Sequence, residues 1–177
     1  GAAPHLAVDP VLAAAQIVVG LQSIVARNVS PLKTAVVTVA AIRGGEAFNV
    51  IPPAVEMKGT IRTFEPEVRS LVLERFHQIV ERTAEAFGCQ ARVEHSFLTP
   101  AVVNDPAITA RVQALVGQVL PEATLDTGDR TMGSEDMAYI LQDVPGCFIF
   151  IGSANSEQKL DAPHHHPRFD IDERVLP

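Results

Sequence analysis

The chain has 177 residues, 47% hydrophobic and 20% charged, the composition of a globular protein of one or two domains with enough apolar material for a core. Its formal charge is −7, and no Lys- or Arg-rich block is present to neutralise phosphates, which argues against nucleic acid and anionic membranes as partners. Cys89 and Cys147 are too few for a disulfide framework or a thiolate zinc site, and read as buried, reduced thiols of a cytoplasmic protein.

The first element is a helix. Asp9 can cap it, Pro10 suits the first helical position, and Val11, Ala15, Val18, Leu21 and Val25 follow at helical spacing until Asn28 and Pro31. Gln16, Gly20, Gln22 and Ser23 break its apolar run, so it does not read as a membrane span, and no signal-peptide pattern is present. Ala35–Ile42 reads as a largely buried strand ended by Gly44-Gly45. From Val55 to Ile61 the apolar residues Val55, Met57 and Ile61 alternate with polar ones, a strand with one wet face that directs Arg62 away from the core.

Val68, Val72, Phe76, Ile79 and Thr83 mark a second amphipathic helix, closed by Gly88. Ala91–Leu98 alternates again and is expected to be a third strand. The order helix, strand, strand, helix, strand is a split βαβ arrangement lacking its first strand. On that reading the missing partner lies upstream of Gly1.

A second block begins at Pro100. Asn104 or Asp105 caps a helix to about Leu120, with Pro106 in its first turn and Ile108, Val112, Leu115 and Val119 on one face. Ser134 is expected to cap a short helix to about Leu141, with Glu135 and Asp136 at the positive end of its dipole. Cys147–Ile151 is an uninterrupted apolar run, read as a strand covered on both faces. Asp172 is another cap, but the five residues after it are too few for a stable helix. The chain therefore reads as cut at both ends, with no internal repeat.

Between the apolar run and that last cap lies Asp161-Ala162-Pro163-His164-His165-His166-Pro167-Arg168-Phe169-Asp170. Consecutive histidines between prolines present imidazole on a stiff loop, and imidazole is a common metal ligand near neutral pH. One histidine is not a site, because such sites take three or four ligands.

The histidine segment, Gly1–Pro10, Gly44-Gly45 with Ala47–Pro52, Gly59–Phe64 and Met132–Asp136 together resemble the M20 metallopeptidases. More narrowly they are similar to the amidohydrolase branch that includes hippurate hydrolases, N-acyl-amino-acid deacetylases and auxin-conjugate hydrolases. The resemblance runs over essentially the whole chain, in order and spacing. It implies a fold of the α+β to α/β class: a ferredoxin-like satellite (dimerisation) domain lacking its first strand, over residues 1–97. The C-terminal part of a zinc-peptidase-like α/β catalytic domain follows, over 98–177.

The resemblance also implies a reaction, hydrolysis of the amide bond of N-acyl amino acids or small peptides, with two divalent metal ions as cofactors. Zinc, manganese, cobalt and nickel all suit the ligand types. By position His165 matches the family's C-terminal metal-binding histidine, with His164 and His166 one register to either side. Arg62 matches an arginine that binds the substrate carboxylate, for which a planar fork of donors is suited. Asn49 matches a residue reaching toward substrate across a homodimer. Glu135 is expected at the substrate or beside a metal ligand. Each has a plainer reading as an exposed histidine, a surface-strand arginine, a turn asparagine or a helix-end charge, and His5 is read as structural. The remaining ligands and the general-base glutamate are expected upstream, so no catalytic residue is assigned within this chain and the isolated 177 residues are expected to be inactive. The alternative is a noncatalytic dimerisation or small-ligand-binding module built on the same ferredoxin-like sheet.

Overall fold

Asp9 opens the first long element. In the computed structural model, which describes residues 2–176, its Oδ1 accepts from the Val11 and Leu12 N–H groups at 2.9 and 3.2 Å. These are cap bonds to donors that have no partner inside the helix. Helix α1 (Pro10–Ser23) buries Ala13, Ala14, Ile17 and Leu21, then widens into a π turn, Ile24–Asn28. Its polar interruptions do not take it out of the membrane range: Pro10–Asn28 is long and apolar enough to cross a bilayer by length and composition alone. In this fold Ile17, Leu21 and Ile24 belong to the apolar core instead.

By contact the chain divides into two units, one holding the residues up to Ala101 with Asp126–Tyr139, the other Val102–Leu125 with the residues from Ile140 on. In the first unit β1 (Ala35–Arg43) pairs antiparallel with β2 (Glu56–Thr63), Ala35 opposite Thr63 and Arg43 opposite Glu56, with an irregularity between Val39 and Ala41. Gly59 sits opposite Val39, where a Cβ would be driven into the Thr38 carbonyl oxygen. Only glycine permits that approach.

Helix α2 (Pro66–Ala86) contributes Val68, Val72, Val80 and Ala84 to the core. It ends as expected at Gly88, whose φ of 72° is one that glycine adopts without steric cost. Lys33 Nζ meets Glu65 Oε1 at 2.8 Å just before this helix. Leu21, Ile24 and Val72, fully enclosed, form the centre, with Val37, Met57 and Ile61 packing from the strands.

The expected third strand does not form. Residues 91–98 carry no ladder, and the sheet has two strands among the described residues. Alternation marks which side of a segment is apolar, but a strand also needs a partner edge. Here Val93 packs on the core, the Arg69 guanidinium lies 4.1 Å from the centre of the Phe97 ring, and Tyr139 OH donates to the Leu98 carbonyl at 2.5 Å. What results is a mixed helix-and-sheet unit short of the anticipated three-stranded ferredoxin-like sheet.

In the second unit α3 (Pro106–Val119) is capped by Asp105, whose Oδ1 accepts from the Ile108 N–H at 2.9 Å. Cys147–Ile151 is not a strand covered on both faces: it has no ladder, and Ile149, Phe150 and Ile151 are exposed. In place of a strand partner, Asn104 bonds its backbone. That amide donates to the Phe148 carbonyl at 2.8 Å and accepts from the Phe148 N–H at 2.9 Å. All buried apolar residues among those described lie in the first unit; the second buries only Asp172. Helix α4 (Met137–Asp143) starts later than Ser134. Both cysteines are free and half-buried rather than fully enclosed.

Candidate functional site residues

Strand β2 places Arg62 opposite Val36, and the side chain is half-buried rather than simply turned to solvent. Its Nη1 donates to the Met132 carbonyl at 2.5 Å and approaches Ser134 Oγ at 3.4 Å. The fold thus brings Arg62 to the Met132–Asp136 segment, within one unit. Among the described residues the rest of the guanidinium fork has no protein acceptor, so the donor pair suited to a carboxylate stays available.

Glu135, in that same segment, is half-buried. Its Oε1 accepts from the Met137 N–H at 3.4 Å, at the start of α4. A carboxylate there is favoured by the amide dipoles of the helix start. Ser134, which accepts from Arg62, makes no cap bond among the described residues. Asn49 lies in the exposed turn between β1 and β2, where the Val50 N–H reaches the Ala47 carbonyl at 3.4 Å.

His165 belongs to the second unit. Its backbone has φ 65°, a left-handed conformation that a residue with a Cβ adopts at a cost and that the surroundings must hold in place. All three imidazoles make contacts within the loop, the His164 and His165 rings lying edge-on at 6.5 Å. His164 sets its ring edge-on to Phe169 at 4.8 Å, and His166 Nδ1 accepts from the Arg168 N–H at 3.1 Å. His165 is exposed, and its ring nitrogens take part in no hydrogen bond among the described residues.

No group of three or more His, Cys, Asp or Glu side chains able to hold a metal ion exists among the described residues. His165 fits the role of one ligand by its chemistry. The donor set of this chain does not by itself enclose an ion.

In the sequence Asp172 reads only as a cap, and Asn155 stands out by nothing. Asp172 Oδ1 does accept from the Arg174 N–H at 3.2 Å. The carboxylate also binds the Arg174 guanidinium through both oxygens, at 2.6 to 3.1 Å, and its Oδ2 accepts from Asn155 Nδ2 at 2.7 Å. Arg174 first, and then Asn155, hold its pKa well below the usual carboxylate range. Arg174 two residues on was a visible sign of the ion pair; nothing local pointed to Asn155.

The family model for peptidase family M20/M25/M40 matches residues 4–176. The N-acetyl-L-cysteine deacetylase of Bacillus subtilis is 41% identical over 175 residues, covering 99% of this chain and 40% of the relative. IAA-amino acid hydrolase ILR1-like 4 of Arabidopsis thaliana is 37% identical over 180 residues, covering 99% and 41%. The crystal structure of the Bacillus subtilis YXEP protein, described as a dinuclear metal binding peptidase from the M20 family, superposes with a TM-score of 0.75 at 31% identity, over 96% of this chain and 42% of that one. The chain thus spans about two fifths of the length of these relatives. With a match that runs from the turn before α1 to the end of the described residues, this chain belongs to peptidase family M20/M25/M40.

Proposed function

We propose that the protein containing this chain hydrolyses the amide bond of N-acyl amino acids with the help of two divalent metal ions. The observation that carries this is the family match over residues 4–176, supported by relatives named for deacetylation of N-acetylcysteine and hydrolysis of an amino-acid conjugate. The metal is zinc, manganese, cobalt or nickel, all of which accept imidazole and carboxylate ligands. When bound, such ions polarise the amide carbonyl and lower the pKa of water.

The residues of this chain act around that chemistry. His165 supplies one ligand, by its match to the family's C-terminal metal-binding histidine; its ring nitrogens are unengaged, whereas His166 Nδ1 accepts from the Arg168 N–H. Arg62 binds the substrate carboxylate with the donors left over from Met132. Glu135 and Asn49 complete the substrate contacts, Asn49 from across a homodimer formed by the satellite domain. The other ligands and the general base come from the rest of the protein, so the 177 residues alone are inactive. The protein works in the cytoplasm.

The test is release of free amine from N-acetyl-L-cysteine and other N-acetyl amino acids by the full-length protein. Dialysis against a chelator should abolish release, and added metal should restore it. His165→Ala should lower kcat/KM by orders of magnitude. Hydrolysis indifferent to both chelation and His165→Ala would defeat the proposal.

A further inference from the structure

The loop that carries His165 is tied at its base chiefly through Asn155. Asn155 exchanges two backbone bonds with Leu160, its N–H to the Leu160 carbonyl at 2.9 Å and the Leu160 N–H to its own carbonyl at 2.8 Å. Its side-chain Oδ1 accepts from the Gln158 N–H at 3.2 Å, and its Nδ2 donates to Asp172 Oδ2 at 2.7 Å. Leu160 and Asp172 are the residues on either side of loop 161–171. The Asp172 N–H adds a bond to the Ser153 carbonyl at 3.0 Å.

This is more than a three-residue 3-10 turn needs from its cap. Asp172 is the one buried residue of its unit among those described, and a buried carboxylate costs free energy unless it is paired and hydrogen-bonded, as this one is on both oxygens. The loop above it turns on Pro163 and His166, with the His166 N–H on the Pro163 carbonyl at 3.1 Å and the Phe169 N–H on the His166 carbonyl at 2.9 Å. At its apex His165 has the left-handed backbone. Pinning the two ends of a loop restricts its freedom, and a strained residue stays in place only when its surroundings over-determine it.

We infer that Asp172, bonded to Asn155, is a positioning residue for His165: the pair closes the base of loop 161–171 and so sets where the imidazole is held. The inference rests on His165 being a metal ligand. Arg174 bonds Asp172 alone and makes no bond to Asn155 or Leu160 among the described residues, so it is not needed for the positioning.

The experiment is titration of the metal-free full-length protein with Co²⁺ alone, followed by visible absorption, beside thermal unfolding of the same samples. His165→Ala should remove one Co²⁺ binding step. Asp172→Ala and Asn155→Ala should weaken that same step by about 10- to 100-fold, as loss of a partner that orients a ligand does. Arg174→Ala should leave it within about twofold while lowering Tm, which a purely structural role for the cluster would not separate. If Asp172→Ala does not fold, Asn155→Ala, which leaves the carboxylate with Arg174, makes the same comparison. A Co²⁺ step lost in His165→Ala but unchanged in both clamp variants refutes the positioning role alone. A titration unchanged in His165→Ala refutes the ligand reading and this inference with it.

Discussion

Arg62 and Met132 stand 70 positions apart in the chain and are joined by one hydrogen bond of 2.5 Å, from Nη1 to a main-chain oxygen. The bond fixes a strand arginine to the segment that carries Glu135 without using up the guanidinium. Anchored by one nitrogen, the fork presents its remaining donors in a set direction, which is how a planar cation serves both structure and recognition.

Replacing Arg62 with Ala should therefore do two things in the full-length protein. Amide hydrogen exchange over residues 130–137 should quicken, because the Met132 carbonyl loses its partner. KM for a substrate bearing a free carboxylate should rise about tenfold or more, the equivalent of a lost charge-assisted bond of about 1.5–3 kcal/mol. Lys should not restore it, since an ammonium cannot hold Met132 and a carboxylate in the same fork geometry. An unchanged KM would remove Arg62 from the substrate contacts.

Gly59→Ala should weaken the β1–β2 pairing. The added methyl collides with the backbone at Thr38 rather than with a movable side chain, so a loss of about 1–3 kcal/mol is expected, seen as a lower Tm and faster exchange of the β1 amides. A Tm equal to that of the parent would mean that the strands separate at this position at no cost.

Leu21→Ala and Leu115→Ala make a contrasting pair. Leu21 is 1% exposed at the centre of the core and Leu115 is 54% exposed on α3. The first substitution should cost about 2–5 kcal/mol in chemical unfolding. The second, made in this 177-residue chain, should stay within about 0.5 kcal/mol, as surface changes do. Similar losses at both positions would place α3 in a core that the structure does not show.

The pH dependence of the Asp172 cluster has a definite sign. Its pKa is depressed in the folded chain by Arg174 and Asn155, so its contribution is complete above the ordinary value of 3.8 and disappears as pH falls toward the lower folded value. The gap in urea midpoint between the parent and Asp172→Asn should stay constant from about pH 8 to pH 5 and close only below about pH 4. A gap that closes between pH 7 and pH 5 would mean that another group controls it.

The capped helices were legible in the sequence, and for a local reason. Asp9-Pro10, Asp105-Pro106 and Gly88 act through bonds and backbone angles only a few residues away, and helical spacing names the buried side of α2 directly. The two strands were legible too, from a valine-rich run ended by Gly44-Gly45 and from alternation over the second; their register was not. The segments at 91–98 and 147–151 carry the same kind of signal yet form no ladder. A strand is defined by a partner edge supplied from elsewhere, and in these two places side chains hold the backbone instead.

The site divides along the same line. By itself the sequence determined the residue types and their order: an imidazole loop between prolines, an arginine on a wet-faced strand, a carboxylate near a helix start. Those are properties of short segments and of a resemblance that spans the chain. Only the tertiary structure decided that Arg62 binds the Met132 carbonyl and that Asn155 and Asp172 close the base of the loop that carries His165. Each of these is a bond whose partner or direction depends on how the chain folds back on itself, and no pattern of neighbouring residues encodes it.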